Sequence, residues 1–462
     1  MSLNSISPID GRYSKDTMEL AQYWSESAGM KYKVLVESEY LIALSEAGDI
    51  GIRKLSEKEK TLVRSLYENF REEDAQIISD IELSGYKNIK ATNHDLKAIE
   101  YYIKEKLGDS SLKDILEFTH FGLTSEDASN LAYALMLGES LKEVYLPAVE
   151  NLTAQLGKLA KENKNTPMLA RTHGQPASPT TFGKELKNFE ERLKRQTVQL
   201  KTYKILAKLN GATGNYNALA VAYPDIDWIE FSKKFIAELG KLRKVSLEAN
   251  LHTTQIEPHD SYIELFDILR RANSIVLNFN QDMWQYISDG WIGQSAVEGE
   301  VGSSTMPHKI NPWFLENSEG NLGMANAMFE FFGRKLPISR LQRDLSDSTV
   351  LRNIGVAFGH SLVGFQYLNN QLGRIVVNKE KALEDLNNHP EVITEAIQTI
   401  LRREGATMPY EKLKALARGK KVTLADIHKF IDTLKVSDKI KKELKNITPE
   451  NYTGLASKLA SM

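Results

Sequence analysis

The stretch LFDILRRANSIVLNFNQDMWQY, residues 265–286, decides the fold class of this chain. Its apolar residues follow one another at alternating steps of four and three: Leu265, Leu269, Ala272, Val276, Phe279, Met283 and Tyr286. This spacing predicts one long helix with an apolar seam along one face, which must pack against other helices. Pro258 and Asp260 mark its expected start, and Gly290 marks its expected end.

Two further stretches repeat this pattern and predict two more long helices. One carries Leu186, Phe189, Leu193, Thr197, Leu200 and Tyr203. The other carries Leu141, Tyr145, Ala148, Leu152, Leu156 and Leu159, with Pro147 as an early kink or a first-turn residue. No alternating βαβ pattern is present, so we predict an all-α protein built around a bundle of long helices. Breaks at KLGDSSLKD (106–114) and NNQLGRIVVNKEK (369–381) divide it into domains 1–112, 113–364 and 365–462.

Composition and charge argue against several classes of function. The 462 residues carry a formal net charge of −2, which argues against a general binder of nucleic acids or membrane surfaces. The absence of Cys excludes disulfides, thiolate chemistry and Cys-ligated metals, and it fits a reducing compartment. The N-terminus has no signal pattern, and no apolar run approaches the ~20 residues that span a bilayer. We therefore expect a cytoplasmic protein.

Several short segments between the helical patterns are rich in His, Thr, Ser, Asn and Gly. They are ATNHDLKAIEYY (91–102), EFTHFGLTSEDASN (117–130), LARTHGQPASPTTFGKE (169–185), TTQIEPHD (253–260), GSSTMPHKINP (302–312) and RLQRDLSDSTVLRN (340–353). Each also has a purely structural interpretation: Asn93 or Thr92 can cap a helix, and TSED resembles a capping box.

Taken together, these segments predict a binding site. They hold five of the nine histidines, His94, His120, His173, His259 and His308, and histidine exchanges protons near neutral pH. Cations accompany them in Lys309, Arg343 and Arg352, and Arg12 lies in DGRYS near the N-terminus. Such cations among hydroxyl and amide side chains suit a small substrate with several negative groups.

Other chemistries lack their motifs in this sequence. The loop 302–312 does not have the Gly-Lys-Ser/Thr order of a P-loop, and no Gly-x-Gly-x-x-Gly follows a strand. There is no His-Glu-x-x-His, and no Gly-x-Ser-x-Gly on a strand-to-helix elbow. We therefore expect no metal and no nucleotide cofactor.

The motifs resemble those of a known family. GSSTMPHKINP resembles the signature of the fumarase/aspartase superfamily, Gly-Ser-Ser-x-x-Met-Pro-x-Lys-x-Asn. SPIDGRYS, TNHDLKAIEY, HFGLTSED, RTHGQPASPTTFGKE, TTQIEPHD, ENSEGNLG and QRDLSDSTVLRN are similar to segments of the adenylosuccinate lyase family. The match runs in order from near Pro8 to the C-terminal PYEKLKALARGKKV.

This resemblance implies a fold and a reaction. The fold would be three all-α domains, with the middle domain forming the core of a homotetramer whose active sites are shared between subunits. The reaction would eliminate fumarate from adenylosuccinate, giving AMP, and from the succinylated carboxamide ribotide SAICAR, giving AICAR. The substrates are the partners we expect, with no nucleic acid and no membrane.

The resemblance also implies roles for individual residues. It places Ser303 as the base and His173 as the acid, with Lys309 stabilising the doubly charged aci-carboxylate and His94 as a second candidate in proton transfer. The loop would close over the substrate, and Gly299 and Gly302 would give it the freedom to move. Implied substrate contacts are Arg12, Tyr13, Asn93, His94, Asp95, Thr124, Ser125, Gln255, Ser304, Lys309, Asn311, Asn317, Arg343, Ser348, Thr349 and Arg352.

Among these contacts, Ser348 and Arg352 are assigned to the phosphate, because a hydroxyl group and a guanidinium at a helix start suit that group. Asp95 has an alternative role as a helix-terminal residue whose charge complements the helix dipole.

Two other interpretations remain open. One is a sister lyase that acts on argininosuccinate or on fumarate, although SDSTVLR would then have no phosphate to hold. The other is a non-catalytic structural protein that keeps the fold, as lens crystallins related to this superfamily do. The intact Ser303, His173 and Lys309 argue against that second interpretation.

Overall fold

The computed structural model describes residues 3–48, 50–295, 305–306, 308–419 and 422–462. Helices dominate these residues, and their strands form short two-stranded pairs. The all-α prediction is therefore confirmed. Within the same ranges, no helix combines the length and the apolar character that crossing a bilayer requires.

The chain forms two compact units, each assembled from three segments. Unit 1 comprises Met1–Ala148, Gln196–Ser274 and Gly320–Gln366. Unit 2 comprises Val149–Arg195, Ile275–Glu319 and Tyr367–Met462. The three-domain division with boundaries near residues 112 and 364 stays a prediction.

The helices and strands have the following bounds. The α-helices are Met18–Trp24, Glu26–Glu46, Glu57–Glu68, Glu72–Leu83, Asp95–Leu107, Ser125–Ser140, Leu146–Glu162, Phe182–Lys201, Asn217–Ala222, Trp228–Arg243, Asp260–Ser288, Trp313–Lys335, Ser346–Leu351, Ile354–Gln371, Lys379–Asn387, Thr394–Arg403, Pro409–Ala417, Leu424–Asp432, Asp438–Lys445 and Ala456–Leu459. Short 3₁₀ turns are Lys113–Phe118, Leu372–Arg374 and Pro390–Ile393. The strand pairs are Pro167–Thr172 with Gln175–Thr181, Ile205–Ala207 with Leu247–Ala249, and Ile292–Gln294 with Ile375–Val377.

The three predicted long helices are present. The helix Asp260–Ser288 begins at the predicted residue. Gly290 follows its end with a φ of 74°, a conformation that glycine adopts without strain. The second helix is Phe182–Lys201, so it ends before Tyr203, which the predicted seam included.

The third predicted helix is interrupted near its proline. A π-helical turn, Leu141–Tyr145, leads directly into the helix Leu146–Glu162, where Pro147 is the second residue. Pro147 has no N–H with which to continue a regular ladder of hydrogen bonds, and the chain widens in the turn before it, where the Leu146 N–H donates to Leu141 O.

The core of unit 1 combines an aromatic cluster with one buried amide. Phe329 packs against Phe266 and Phe358, with ring centroids 5.2 and 5.9 Å apart. Asn273, fully buried on the helix Asp260–Ser288, donates to Ser361 Oγ at 2.9 Å. Its side-chain oxygen accepts from Tyr145 Oη at 3.2 Å. The amide is thus satisfied, and these bonds fix the mutual register of the core helices.

Unit 2 contains a β-hairpin in a region for which the sequence analysis predicts no strand. Pro167–Thr172 pairs antiparallel with Gln175–Thr181. His173 and Gly174 form its two-residue turn with φ values of 55° and 71°, as a type I′ turn requires. Because these strands contain prolines and small polar residues, the sequence lacks the alternation of apolar and polar residues that predicts a strand. The hairpin places His173 at an exposed turn.

Candidate active site

A cavity of about 820 Å³ lies in unit 1 at the start of two helices. Asp95–Leu107 and Ser125–Ser140 both contribute their first residues to its lining. Backbone N–H groups and the positive ends of helix dipoles are concentrated at helix N-termini. Two such ends at one cavity favour an anionic ligand.

Nine of the predicted site residues line this cavity. They are Asn93, His94, Asp95, Thr124, Ser125, Gln255, Arg343, Ser348 and Arg352. They come from four separate stretches of the chain, which the fold of unit 1 brings to one place. The lining does not include Arg12, Tyr13 or Thr349 of the same unit.

The residue that caps the helix Asp95–Leu107 also lines the cavity. The N-cap is His94 and not Asn93 or Thr92, as the capping interpretation had expected, and its Nδ1 accepts from the Lys97 N–H at 3.2 Å. A neutral ring with this bond carries its proton on Nε2. That nitrogen lies 3.4 Å from Ser125 Oγ. Asn93 has a φ of 49°, which asparagine tolerates better than most residues.

One hydrogen bond of the predicted capping box is present at the N-terminus of the second helix, Ser125–Ser140. The Thr124 N–H donates to Asp127 Oδ2 at 2.9 Å. Asp127 is fully buried and pairs with the buried Lys208, with an Nζ–Oδ1 distance of 2.9 Å. TSED therefore provides a bond that caps the helix, and its Thr124, Ser125 and Glu126 also line the cavity.

Asp95 is held by a lysine from another helix. Its Oδ2 accepts from Lys33 Nζ at 2.5 Å, and its Oδ1 accepts from the Leu96 N–H at 2.8 Å. Burial works to raise the pKa of Asp95, but the Lys33 charge and these hydrogen bonds outweigh it and keep the pKa below its ordinary value. Asp95 is also the first residue of its helix, so its charge complements the dipole.

Two arginines bring positive charge to the cavity from the segment 341–352. Arg343 Nη1 donates to Gln255 Oε1 at 3.2 Å, and its Nη2 lies 3.2 Å from Glu126 Oε2. Arg352 directly follows the helix Ser346–Leu351, on which Ser348 lies. Arg343, Arg352 and Lys33 thus give the cavity three cations, which suits a ligand with several negative groups.

Two carboxyl groups that line the cavity have raised pKa values, which favours their neutral forms. Burial raises the pKa of Glu126 to about 8. Burial and the neighbouring Asp95 raise the pKa of Glu82. Burial also raises the pKa of the Tyr133 phenol, which therefore stays protonated at neutral pH. A carboxyl group in its neutral form competes less with an anionic ligand for the cations of the site.

The other histidines of the polar segments have different surroundings. His120 Nδ1 lies 2.6 Å from Glu37 Oε1, and although burial opposes the charge, Glu37 raises the pKa of His120. His259 is buried, and burial together with Arg343 lowers its pKa to about 4, so it is neutral at physiological pH. His173 and His308 are exposed in unit 2.

The remaining predicted residues lie in unit 2 or outside the described residues. His173, Lys309, Asn311 and Asn317 belong to unit 2, where Lys309 is exposed and its N–H donates to Met306 O at 3.1 Å. Asn317 lies on the helix Trp313–Lys335. Ser303 and Ser304, together with Gly299 and Gly302, lie outside the described residues. Within the described ranges, no group of three or more His, Cys, Asp or Glu side chains is arranged to hold a metal ion.

The cavity also contains residues that sequence reasoning did not find. Glu126 and Ser129 lie in the polar segment 117–130, one and four residues after Ser125, and helical spacing places residues so separated near one another. Lys33 and Tyr133 lie in ordinary helical sequence, and nothing in their local pattern marks them.

Two family models together match most of the chain. The model described as "Lyase" matches residues 11–327, and the model described as "Adenylosuccinate lyase C-terminal" matches residues 339–453. The first belongs to an enzymatic family, which confirms that the protein is an enzyme of the lyase class.

Curated relatives cover nearly the whole chain. An adenylosuccinate lyase of Haemophilus influenzae is 46% identical over 460 residues, covering 99% of this chain and 98% of the relative. An adenylosuccinate lyase of Dictyostelium discoideum is 48% identical over 465 residues, covering 98% and 97%.

Two solved structures share the fold. A fumarate lyase from Mesorhizobium sp. BNC1 has a TM-score of 0.72 at 16% identity, with 96% of each chain covered. The 3-carboxy-cis,cis-muconate lactonizing enzyme from Pseudomonas putida has a TM-score of 0.71 at 19% identity, with 96% of this chain and 95% of that chain covered. At such low sequence identities, the similarity of these structures shows a shared fold and nothing about function. With the family models and the near-full-length relatives, the chain belongs to the adenylosuccinate lyase family.

Proposed function

We propose that this protein cleaves adenylosuccinate to AMP and fumarate, and SAICAR to AICAR and fumarate. The observation that carries the proposal is the cavity of unit 1, where Lys33, Arg343 and Arg352 lie among hydroxyl groups and two helix N-termini. Each substrate carries one phosphate and two carboxylates, and cations, hydroxyl groups and helix N-termini are the groups that bind such anions.

The reaction requires two proton transfers around the breaking C–N bond. A base removes a proton from the carbon beside a carboxylate, and that electron pair becomes the double bond of fumarate as the nitrogen leaves. An acid then protonates the departing nitrogen. We assign the base to Ser303, which needs activation because a free hydroxyl is a weak base, and the acid to His173. Lys309 would stabilise the doubly charged aci-carboxylate.

The remaining assignments concern binding. Ser348 and Arg352 would hold the phosphate, and the other predicted contacts of the cavity would orient the purine and the succinyl group. His94 is a further candidate in proton transfer, because its Nε2 lies 3.4 Å from the Ser125 hydroxyl at the cavity wall. Its Nδ1 is engaged by the Lys97 N–H, so proton exchange would use Nε2.

We also propose a cytoplasmic homotetramer in which each active site takes residues from several subunits. Long helices expose large apolar side chains: Trp284, Met324 and Phe331 are 45%, 53% and 47% exposed in the single chain. Association of identical chains would cover such side chains.

Purified protein mixed with adenylosuccinate tests the function through the ultraviolet spectrum, since the purine chromophore changes when the succinyl group leaves. We expect turnover of adenylosuccinate and SAICAR, with Ser303→Ala as the inactive control. Turnover of argininosuccinate or hydration of fumarate instead would identify a sister lyase, and no turnover of any of these would favour a structural protein. Dialysis against a chelator should leave the rate unchanged; a loss restored by a divalent ion would refute a cofactor-free reaction.

A further inference from the structure

Glu126 occupies an unusual position in the cavity wall. It is the second residue of the helix Ser125–Ser140, it lines the cavity, and it is only 2% exposed. Its Oε2 lies 3.2 Å from Arg343 Nη2. Its Oε1 is buried and has no hydrogen-bond partner among the described residues. One oxygen of this carboxyl group therefore faces Arg343, and the other accepts no hydrogen bond from the residues that the structure describes.

Arg343 is held from a second direction by Gln255. The Arg343 Nη1 donates to Gln255 Oε1 at 3.2 Å. Gln255 is itself anchored, since its Nε2 donates to Ala212 O at 3.1 Å and its carbonyl accepts from Lys208 Nζ at 2.8 Å. Gln255 thus accepts from one terminal nitrogen of the guanidinium group, and the Glu126 carboxyl group lies 3.2 Å from the other.

The protonation state of Glu126 decides how much of the Arg343 charge remains for a ligand. Burial raises the pKa of Glu126 to about 8; Asp347 and Asp127 add to the rise, and Arg343 and Lys208 oppose it. The charged and titratable groups that face it are Arg343, Lys208, Asp127, Asp347, Tyr133 and Tyr262. A raised pKa favours the neutral form of this carboxyl group near neutral pH, and the group would ionise as the pH rises through that pKa.

We propose that Glu126 is a positioning residue: its neutral form orients the Arg343 guanidinium and leaves the positive charge to a carboxylate or phosphate of the substrate. This inference rests on the proposed function, because it concerns how the same cavity binds its anionic substrate. Ionised Glu126 would instead neutralise Arg343 and repel that anion. When only one protonation state binds, the apparent affinity falls with the fraction of that state, about tenfold at one pH unit above the midpoint.

The test compares the pH dependence of KM and kcat in the wild type, Glu126→Gln and Glu73→Gln. Glutamine keeps the shape of the neutral acid but cannot ionise. Glu73 is an exposed glutamate in the first turn of another helix, Glu72–Leu83, and serves as the matched control. We expect the wild type and Glu73→Gln to show a rise in KM of about tenfold between pH 7 and pH 9. In Glu126→Gln the KM should stay within about threefold over that range. Parallel KM profiles in all three proteins would overturn the proposal.

Product inhibition identifies the substrate group that Arg343 receives. AMP carries the phosphate without the succinyl carboxylates, and fumarate carries two carboxylates without a phosphate. Inhibition constants for both should be measured at pH 7 and pH 9 in the wild type and in Glu126→Gln. A pH dependence that the variant abolishes for AMP alone assigns Arg343 to the phosphate, and one abolished for fumarate alone assigns it to a carboxylate. No difference for either product would contradict the proposal.

Two measurements separate this inference from the proposed function. If the wild type does not cleave adenylosuccinate, the function fails, yet calorimetric binding of AMP and fumarate against pH still tests the role of Glu126. If Glu126→Gln does not fold, the infrared carbonyl band of a protonated carboxyl group in the wild type decides the matter. That band should be present at pH 7 and disappear above pH 9. A wild type without a band that titrates in this range would overturn the proposal.

Discussion

At the scale of single residues, one buried ion pair connects the segments that form the wall of the candidate site. Asp127 and Lys208 are both fully buried, and their Oδ1 and Nζ atoms lie 2.9 Å apart. Lys208 Nζ also donates to Gly211 O at 2.9 Å and to Gln255 O at 2.8 Å. Asp127 accepts from the Asn210 N–H at 3.0 Å. The pair thus ties the segments near residues 210 and 255 to the helix that begins at the cavity.

Removing the lysine from this pair should destabilise the fold strongly. Lys208→Met would leave the Asp127 charge buried and two carbonyl groups without their donor, so we expect the free energy of unfolding to fall by about 3–5 kcal/mol. Urea unfolding at equal protein concentration measures the change. Lys204→Met is the control, because the pair of Lys204 with Glu248 is 65% and 55% exposed. It should change stability by less than about 1 kcal/mol, and equal effects of the two substitutions would contradict this account.

At the scale of elements, two of the polar segments cap the N-termini of helices and also line the cavity. His94 caps Asp95–Leu107, and the box between Thr124 and Asp127 closes the start of Ser125–Ser140. A cap residue stands at the helix N-terminus, where an anion also binds best. The two interpretations of these segments are therefore compatible, since one geometry serves both.

The role of His94 as a cap can be separated from a role in catalysis. His94→Ala removes the bond to the Lys97 N–H and should lower the free energy of unfolding by about 1 kcal/mol. His94→Asn supplies a new cap, so it should restore most of the stability without restoring kcat. Thermal unfolding and steady-state kinetics of the three proteins measure both effects. If asparagine restored kcat as well, His94 would act only as a cap.

At the scale of the whole molecule, the predicted acid and the cavity belong to different units of the chain. His173 lies on the hairpin turn of unit 2, while the cavity is lined by unit 1. The proposed tetramer would supply His173 and Ser303 to one site from separate subunits. Chains carrying His173→Ala or Ser303→Ala should therefore each be inactive when refolded alone.

Refolding the two variants together tests this shared site. Random mixing should recover about a quarter of the wild-type activity, because a working site needs one intact copy of each residue from separate chains. Activity and mass should be measured on the same sample. Mixed tetramers of the correct mass that remain inactive would show that both residues of a site come from one chain.

Several features were predictable from the sequence because they depend on short-range order. The seam from Leu265 to Tyr286, with Asp260 before it and Gly290 after it, indicated the helix Asp260–Ser288, since periodicity and helix ends are local properties. The polar motifs indicated nine of the residues that line the cavity. Family resemblance, carried by those same motifs, indicated the lyase chemistry.

Other features were decided only by the tertiary structure. The hairpin around His173 forms although its strands lack an alternating pattern, because pairing between Pro167–Thr172 and Gln175–Thr181 satisfies their backbone groups. Lys33 reaches the site because its helix packs beside Asp95. Burial removes water from Glu126 and raises its pKa, and Asp347, far along the chain, adds to the rise. Burial and the approach of distant charges are properties of the folded chain, and no local pattern of residues contains them.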